Sequence, residues 1–217
     1  MIFNMIWTGT LETIYMVFFA TLFSIVLGFP LGVLAVITAP GHILESPKLY
    51  KVLNFMINIF RSFPYIILMI LLLPLSRMVV GTTIGSTAAI VPLAISAAPF
   101  VARMVEGAIS EVDRGLIEAS TSMGSSHWEI IKSVLIPEAM PALIQGLTMT
   151  IISLIGFSAM AGAIGGGGLG DIAIRFGYQR FKIDIMIYAV VVIIVLVQFI
   201  QWLGNLFTKR LKIKRGL

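Results

Sequence analysis

No cysteine occurs among the 217 residues, which excludes disulfides, thiolate nucleophiles and sulfur-ligated metals. Histidine is scarce too: His42 and His127 are the two present, too few for a zinc cage built from this chain alone. No Gly-x4-Gly-Lys-Ser/Thr segment occurs. Without the glycine cradle, the phosphate-reaching lysine and the Mg-binding hydroxyl, the chain cannot itself be an ATP hydrolase. Charged residues make up 12%, against about 25% in an ordinary soluble domain. What fills the chain instead is apolar, 59% hydrophobic with a mean hydropathy of +1.04, and the bilayer is its expected solvent.

Charges mark off the apolar runs. After Glu12 no charged residue appears until Glu45, and the apolar part of that run ends near Ile37. Residues 51–77 enclose a second run interrupted by Arg61, and 78–102 a third, broken by Pro92 and Pro99. Residues 139–170 and 185–208 supply two more. Each exceeds the roughly 18 residues that a crossing helix needs. The expectation is an all-α polytopic membrane protein of one domain, residues 1–217, with five transmembrane helices near 13–37, 52–76, 78–102, 141–163 and 185–208.

The first lysine or arginine is Lys48, so the basic start of a cleaved signal peptide is missing and the N-terminal segment is expected to be retained. With five spans and the C-terminus inside, the inner face holds Lys48, Lys51, Arg103, Arg114, Lys132, Lys209, Arg210, Lys212, Lys214 and Arg215. Arg77, Arg175, Arg180 and Lys182 are left outside. Ten against four favours an outer N-terminus and a cytoplasmic C-terminus. The basic tail 209–215 reads as an anchor to anionic membrane lipid rather than as a nucleic-acid contact.

Residues 103–140 are the polar exception and carry six of the ten acidic residues: Glu106, Glu111, Asp113, Glu118, Glu129 and Glu138. The segment is expected to form a folded cytoplasmic loop of two short helices. One covers 115–123 and is closed by Gly124, which can take the left-handed conformation of a helix end. The other covers 127–135 and is ended by Pro137; Ser126 and Glu129 have the spacing of a capping box at its start.

Glu118-Ala119-Ser120, Gly124 and Val134-Leu135-Ile136-Pro137 resemble the loop signature of ABC importer permeases, Glu-Ala-Ala, three residues, Gly, nine residues, Ile-x-Leu-Pro. Ser120 departs from it at the third position, and Val134 and Ile136 exchange one apolar residue for another. Phe60-Arg61-Ser62-Phe63-Pro64 is similar to a segment of the polar amino-acid permeases within that type I importer family. Asn58 to Ser62, Ala97 to Phe100, Leu116 to Ser120 and Gly168 to Gly170 resemble most the permeases of methionine importers.

The resemblance implies a transport subunit and not an enzyme. Glu118, Ala119, Ser120, Gly124 and Pro137 would form the coupling loop that docks on a separate ATPase. That ATPase would be present in two copies and would hold the ATP and Mg, so this chain needs no cofactor or metal. The resemblance also implies a homodimer enclosing the path, an extracytoplasmic binding protein or lipoprotein, and the bacterial cytoplasmic (inner) membrane as location. Methionine, L- and D-, is the expected substrate, with another small or polar amino acid as the alternative; a passive channel would leave the permease-type loop unexplained.

Other features keep two readings. The glycines at 165–168 and 170 lack a phosphate loop's ending and read as a structural turn or a mobile outer gate. Arg61, about 15 Å of helix from Lys51, reads as part of a pairing or gating network, a snorkelling anchor or a substrate contact. Small and polar residues of the fourth span, Thr150, Ser153, Gly156 and Ser158, suit helix packing or a water-accessible path. On the second reading Met160, adaptable through its thioether, fills the closed gate.

Overall fold

The computed structural model describes residues 2–214; Arg215 of the basic tail lies outside them. Among the described residues every regular element is helical. In order they are α1 (Ile2–Ile37), α2 (Pro47–Ser62), α3 (Tyr65–Val80), α4 (Ser86–Ser110), α5 (Arg114–Ser122), α6 (His127–Ile130), α7 (Ile136–Ala163), α8 (Gly168–Ile172) and α9 (Ile183–Lys214). Helix α6 runs into α7 through a π turn at Ile131–Leu135, and a second π turn, Ala173–Tyr178, extends α8. Among the described residues four helices are long and apolar enough to cross a membrane: α1, α4, the continuous α6–α7 rod and α9. The α2–α3 pair makes a fifth crossing if taken together, bent by 102°.

Helix α1 has no polar stripe, as expected of a helix between lipid and protein. It turns Phe3, Trp7, Phe18 and Val26 outward and buries Gly9, Thr13, Ala20, Ser24, Gly28 and Gly32. Gly28 and Gly32, one turn apart, let α1 lie directly on α4. A Cβ on Gly28 would stand 2.7 Å from Cβ of Val101, and one on Gly32 2.6 Å from Cβ of Val105. In lipid, where apolar surface gains nothing by leaving the solvent, such backbone proximity supplies the packing. Among the described residues three apolar clusters fill the bundle, the smallest being Leu169, Ile172, Ile185 and Ala189 between α8 and α9. Of the larger two, one gathers Val36, Val101, Val105, Ile109, Ile130 and Leu135 toward the α5 end, the other Met16, Met69, Leu93, Ala97 and Leu154 toward the α8 end.

Helix boundaries differ from the apolar runs where backbone chemistry intervenes. The second run breaks at Phe63–Pro64, where a residue before proline is driven to extended backbone, here ψ 130° at Phe63. The third run begins at 78, but Met78 to Val80 still belong to α3, and Gly81 and Gly85, at φ +84° and +98°, turn the chain before α4 starts at Ser86. Helix α4 continues to Ser110 and so takes Arg103 and Glu106 out of the loop and into the bundle. Pro137 does not end a helix. Proline clashes with the carbonyl four residues back, and the π turn widens the ladder there, Ile136 N–H donating to Ile131 C=O, so the rod passes through.

Candidate functional site

Helix α5 precedes the α6–α7 rod and α6 forms its first turn, and the α5–α6 segment is held by local hydrogen bonds. Asp113 caps α5 by accepting from Gly115 N–H at 2.6 Å. Gly124 closes it at φ +81°, with its N–H donated to Thr121 C=O. Ser126 and Glu129 form the reciprocal capping box, and the buried Ser120 hydroxyl lies 3.0 Å from that of Ser125, tying the two helices together. What the segment turns outward is unusual for a solvated loop: Leu116 is 45% exposed, Trp128 69% and Met123 79%. Ala119 stands exposed between them, and Glu118 faces a small cavity of about 170 Å³ shared with Arg114 and His42. Burial and then the neighbouring Arg114 hold the His42 imidazole below its ordinary pKa, which keeps that cavity from gaining a second cation.

Helix α7 presents a second exposed feature. Gln145, Met149, Ser153, Gly156 and Met160 recur at three- and four-residue intervals and stand exposed in one stripe. Beside the stripe a groove of about 210 Å³ opens between α4 and α7, lined by Ala97, Phe100, Met104, Met149, Ser153 and Phe157. Phe157 stacks on Tyr65 of α3 at 4.2 Å, and the Arg61 guanidinium lies 5.5 Å over the Phe100 ring. Ser153 lines the groove, Arg61 reaches it through its contact with Phe100, and Met160 continues the stripe of Ser153. Ser158 is not brought to it: it is 2% exposed and donates to Ile155 C=O of its own helix.

Two polar arrangements escape a reading by sequence. Arg103 pairs with the buried Glu106 at 2.5 Å and donates to Asn58 Oδ1 at 2.8 Å, joining α2 to α4. The i,i+3 spacing of Arg103 and Glu106 is the signal for it, hidden by the loop assignment. At the other end Glu12 and Thr13 of α1 accept from the Gly168 and Leu169 N–H groups at 2.7 and 2.9 Å, and Gly85 N–H donates to Gly165 C=O. The glycine-rich turn is thus packed on α1 and the start of α4, where Gly168 lies against Thr13 and Gly167 against Glu12, and Gly170 in turn admits the Ala159 backbone of α7. Among the described residues no three His, Asp or Glu side chains gather as metal ligands.

Known proteins match this architecture along nearly its whole length. Residues 28–213 match the family described as the binding-protein-dependent transport system inner membrane component. The probable D-methionine transport system permease protein MetI of Pasteurella multocida is 51% identical over 209 residues, 96% of each chain. The D-methionine transport system permease protein MetI of Escherichia coli K12 is 50% identical over 154 residues, 71% of each. A chain of the inward-facing MetNI methionine ABC transporter superposes with a TM-score of 0.94 at 45% identity, covering 96% of this chain and 98% of that one. A chain of another amino acid ABC transporter, 23% identical with a TM-score of 0.78 over 95% of this chain and 94% of that one, shares the fold.

Proposed function

The chain belongs to the inner membrane components of binding-protein-dependent transport systems, and from that premise we propose that it is the permease subunit of an ATP-driven methionine importer. The observation that carries this reading is the exposure of the apolar side chains Leu116, Met123 and Trp128 on a capped helix pair at the start of the α6–α7 rod. A water-facing loop gains nothing by exposing such residues, whereas a docking surface does. The partner is an ATPase subunit, two copies of which bind ATP and Mg and close on each other. Glu118, Ala119, Ser120 and Gly124 form the coupling surface. Pro137 marks the point where that surface joins the α7 rod, so movement of α5 is passed to the helix that lines the path.

Two copies of the permease enclose the path between their α7 stripes. Ser153 and Met160, with Arg61 beside Phe100, line it, and alternating access follows as the rods rotate as rigid bodies. A path whose α7 stripe is uncharged, with Arg61 at its border, suits a zwitterion with an apolar side chain, and selectivity rests with an external binding protein. The loop faces the cytoplasm, so the N-terminus lies outside and the basic end of α9 inside, against anionic lipid. The test is uptake into proteoliposomes. Methionine should enter only when ATPase, ATP and binding protein are all present. ATP-dependent uptake of another amino acid with no methionine uptake rejects the substrate, and uptake without ATP rejects the class.

A further inference from the structure

The bundle has a cavity that neither the coupling surface nor the path uses. A groove of about 580 Å³ runs between α1, α7 and α9, with Val17, Ile151, Ile200 and Phe207 among its walls. No charged residue lines it, and its polar side chains are three threonines. Its size falls within the roughly 300–1,000 Å³ of pockets that hold drug-sized ligands. Ile151 in the groove and Ser153 in the path stripe are two residues apart, about 200° around α7, so the groove opens on the side away from the path.

The groove does not end in lipid-like surroundings. Where Ile144, Gly204 and Phe207 finish it, the next residues on the same two helices, Gln145, Asn205 and Thr208, begin a polar cavity of about 400 Å³ closed by Lys209 and Lys212. None of the residues lining that cavity is acidic, and the buried Thr208 hydroxyl has no hydrogen-bond partner in the protein. From Leu196 to Phe207 the groove follows α9 for about 17 Å, half of the roughly 30 Å hydrocarbon core. Trp202 stands exposed in the same stretch, as interface aromatics do. One leaflet's depth of apolar groove, capped by two lysines and donor groups, is complementary to one chemistry.

We infer that the α1–α7–α9 groove is a binding site for an anionic phospholipid, its acyl chain in the groove and its phosphate between Lys209, Lys212 and Thr208. The charge of the mouth selects against zwitterionic lipid, and the depth selects against a soluble phosphate. The acyl chain of a lipid seated there contacts α7 on the face away from Ser153, and its headgroup reaches Gln145 at the end of the stripe. The site stands whatever substrate the path carries.

The permease, purified with its ATPase partner, is exchanged into micelles holding equal phosphatidylglycerol and phosphatidylcholine of the same chain length. Native mass spectrometry then reads the phospholipid retained per chain. Phosphatidylglycerol should be retained over phosphatidylcholine. Lys209→Gln with Lys212→Gln should lower its retention about 30-fold and leave phosphatidylcholine unchanged. Leu22→Trp or Ile14→Trp, each filling the groove from a half-exposed position on α1, should lower retention of both. Equal retention of the two lipids, or a phosphatidylglycerol preference that survives the lysine exchanges, overturns the site. So does retention unchanged by both tryptophans, or a disulfide-linked dimer through Leu203→Cys, which would give the groove to a second copy of the chain.

Discussion

Glu12 of α1 accepts a hydrogen bond from the Gly168 N–H, 156 residues later, at 2.7 Å. Thr13 repeats the arrangement one residue on, its hydroxyl oxygen accepting from Leu169 N–H. The two bonds cap the amino end of α8, whose first N–H groups have no partner within their own helix. They also fix the glycine-rich turn to α1. Gly168 sits at φ +78°, and a Cβ on it would lie 2.7 Å from Thr13 Oγ1, so this lock needs glycine for its backbone angle and for its space.

Thr13→Val keeps the shape of the side chain and removes the acceptor. Leu169 N–H would then be buried without a partner, a loss of about 1–3 kcal/mol. Thermal unfolding of the permease in detergent should move down by that amount for Thr13→Val and much less for Thr13→Ser, which keeps the oxygen. Equal stability of the valine variant would show that the turn is held by packing alone.

Asp171, three residues into α8, has its pKa raised; burial raises it most, Arg175 opposes that through a 2.6 Å ion pair, and Glu12 adds to the rise. The folded state therefore holds this proton more tightly than the unfolded chain does. Its contribution is most favourable below the ordinary aspartate value of about 3.9 and is lost as pH rises through the higher folded value. Asp171→Asn should remove that part of the fall in stability on the alkaline side of pH 4, read as the difference between the two melting profiles. A difference that grows in the opposite sense would mean that the Arg175 pair outweighs burial.

The coupling surface can be tested without touching the bundle. A Cβ at Gly124 meets nothing within 4 Å, so the whole cost of substitution lies in its φ of +81°, about 1–2 kcal/mol for alanine and more for a β-branched residue. Gly124→Val should release the ATPase subunit during co-purification while membrane insertion stays intact. Glu118→Lys places a second cation beside Arg114 in the cavity shared with His42 and should uncouple transport, with Glu118→Gln nearer to wild type. Wild-type transport in both the valine and the lysine variants would remove this segment from the coupling role.

The parts legible in the sequence are those set by local chemistry. Ser126 and Glu129 are three residues apart and form a capping box whatever surrounds them, and Gly124 is a helix stop on its own account. The ends of α4 were not legible, because hydropathy runs on through Gly81 and Gly85 and because Arg103 and Glu106 look like loop residues until each is seen to satisfy the other. Pro137 misleads for a related reason: its clash is real, but one π turn absorbs it. The face of α7 that meets protein is decided by α1, α4 and α9 together. No spacing within 139–170 contains that choice, so Ser153 and Ser158 look equivalent in sequence and are not in the fold.

That difference makes the sharpest test of the path. Ser158 is 2% exposed and bonded within its own helix, so Ser158→Ala exchanges one intrahelical bond for a methyl-sized side chain and should leave methionine uptake and ATP hydrolysis unchanged. Met160 is 48% exposed on the stripe that carries Ser153. If two stripes close on each other, its thioether fills the resting seam, and shortening it leaves a gap lined by small residues. Met160→Ala should then weaken the closed state and raise ATP hydrolysis in the absence of substrate severalfold, while methionine binding by the external protein stays as it was. A single-turnover assay with substrate and binding protein separates this leak from a loss of coupling at Gly124, which lowers hydrolysis and uptake together. If Ser158→Ala raises basal hydrolysis and Met160→Ala does not, the path lies on the other face of α7, where the apolar groove is.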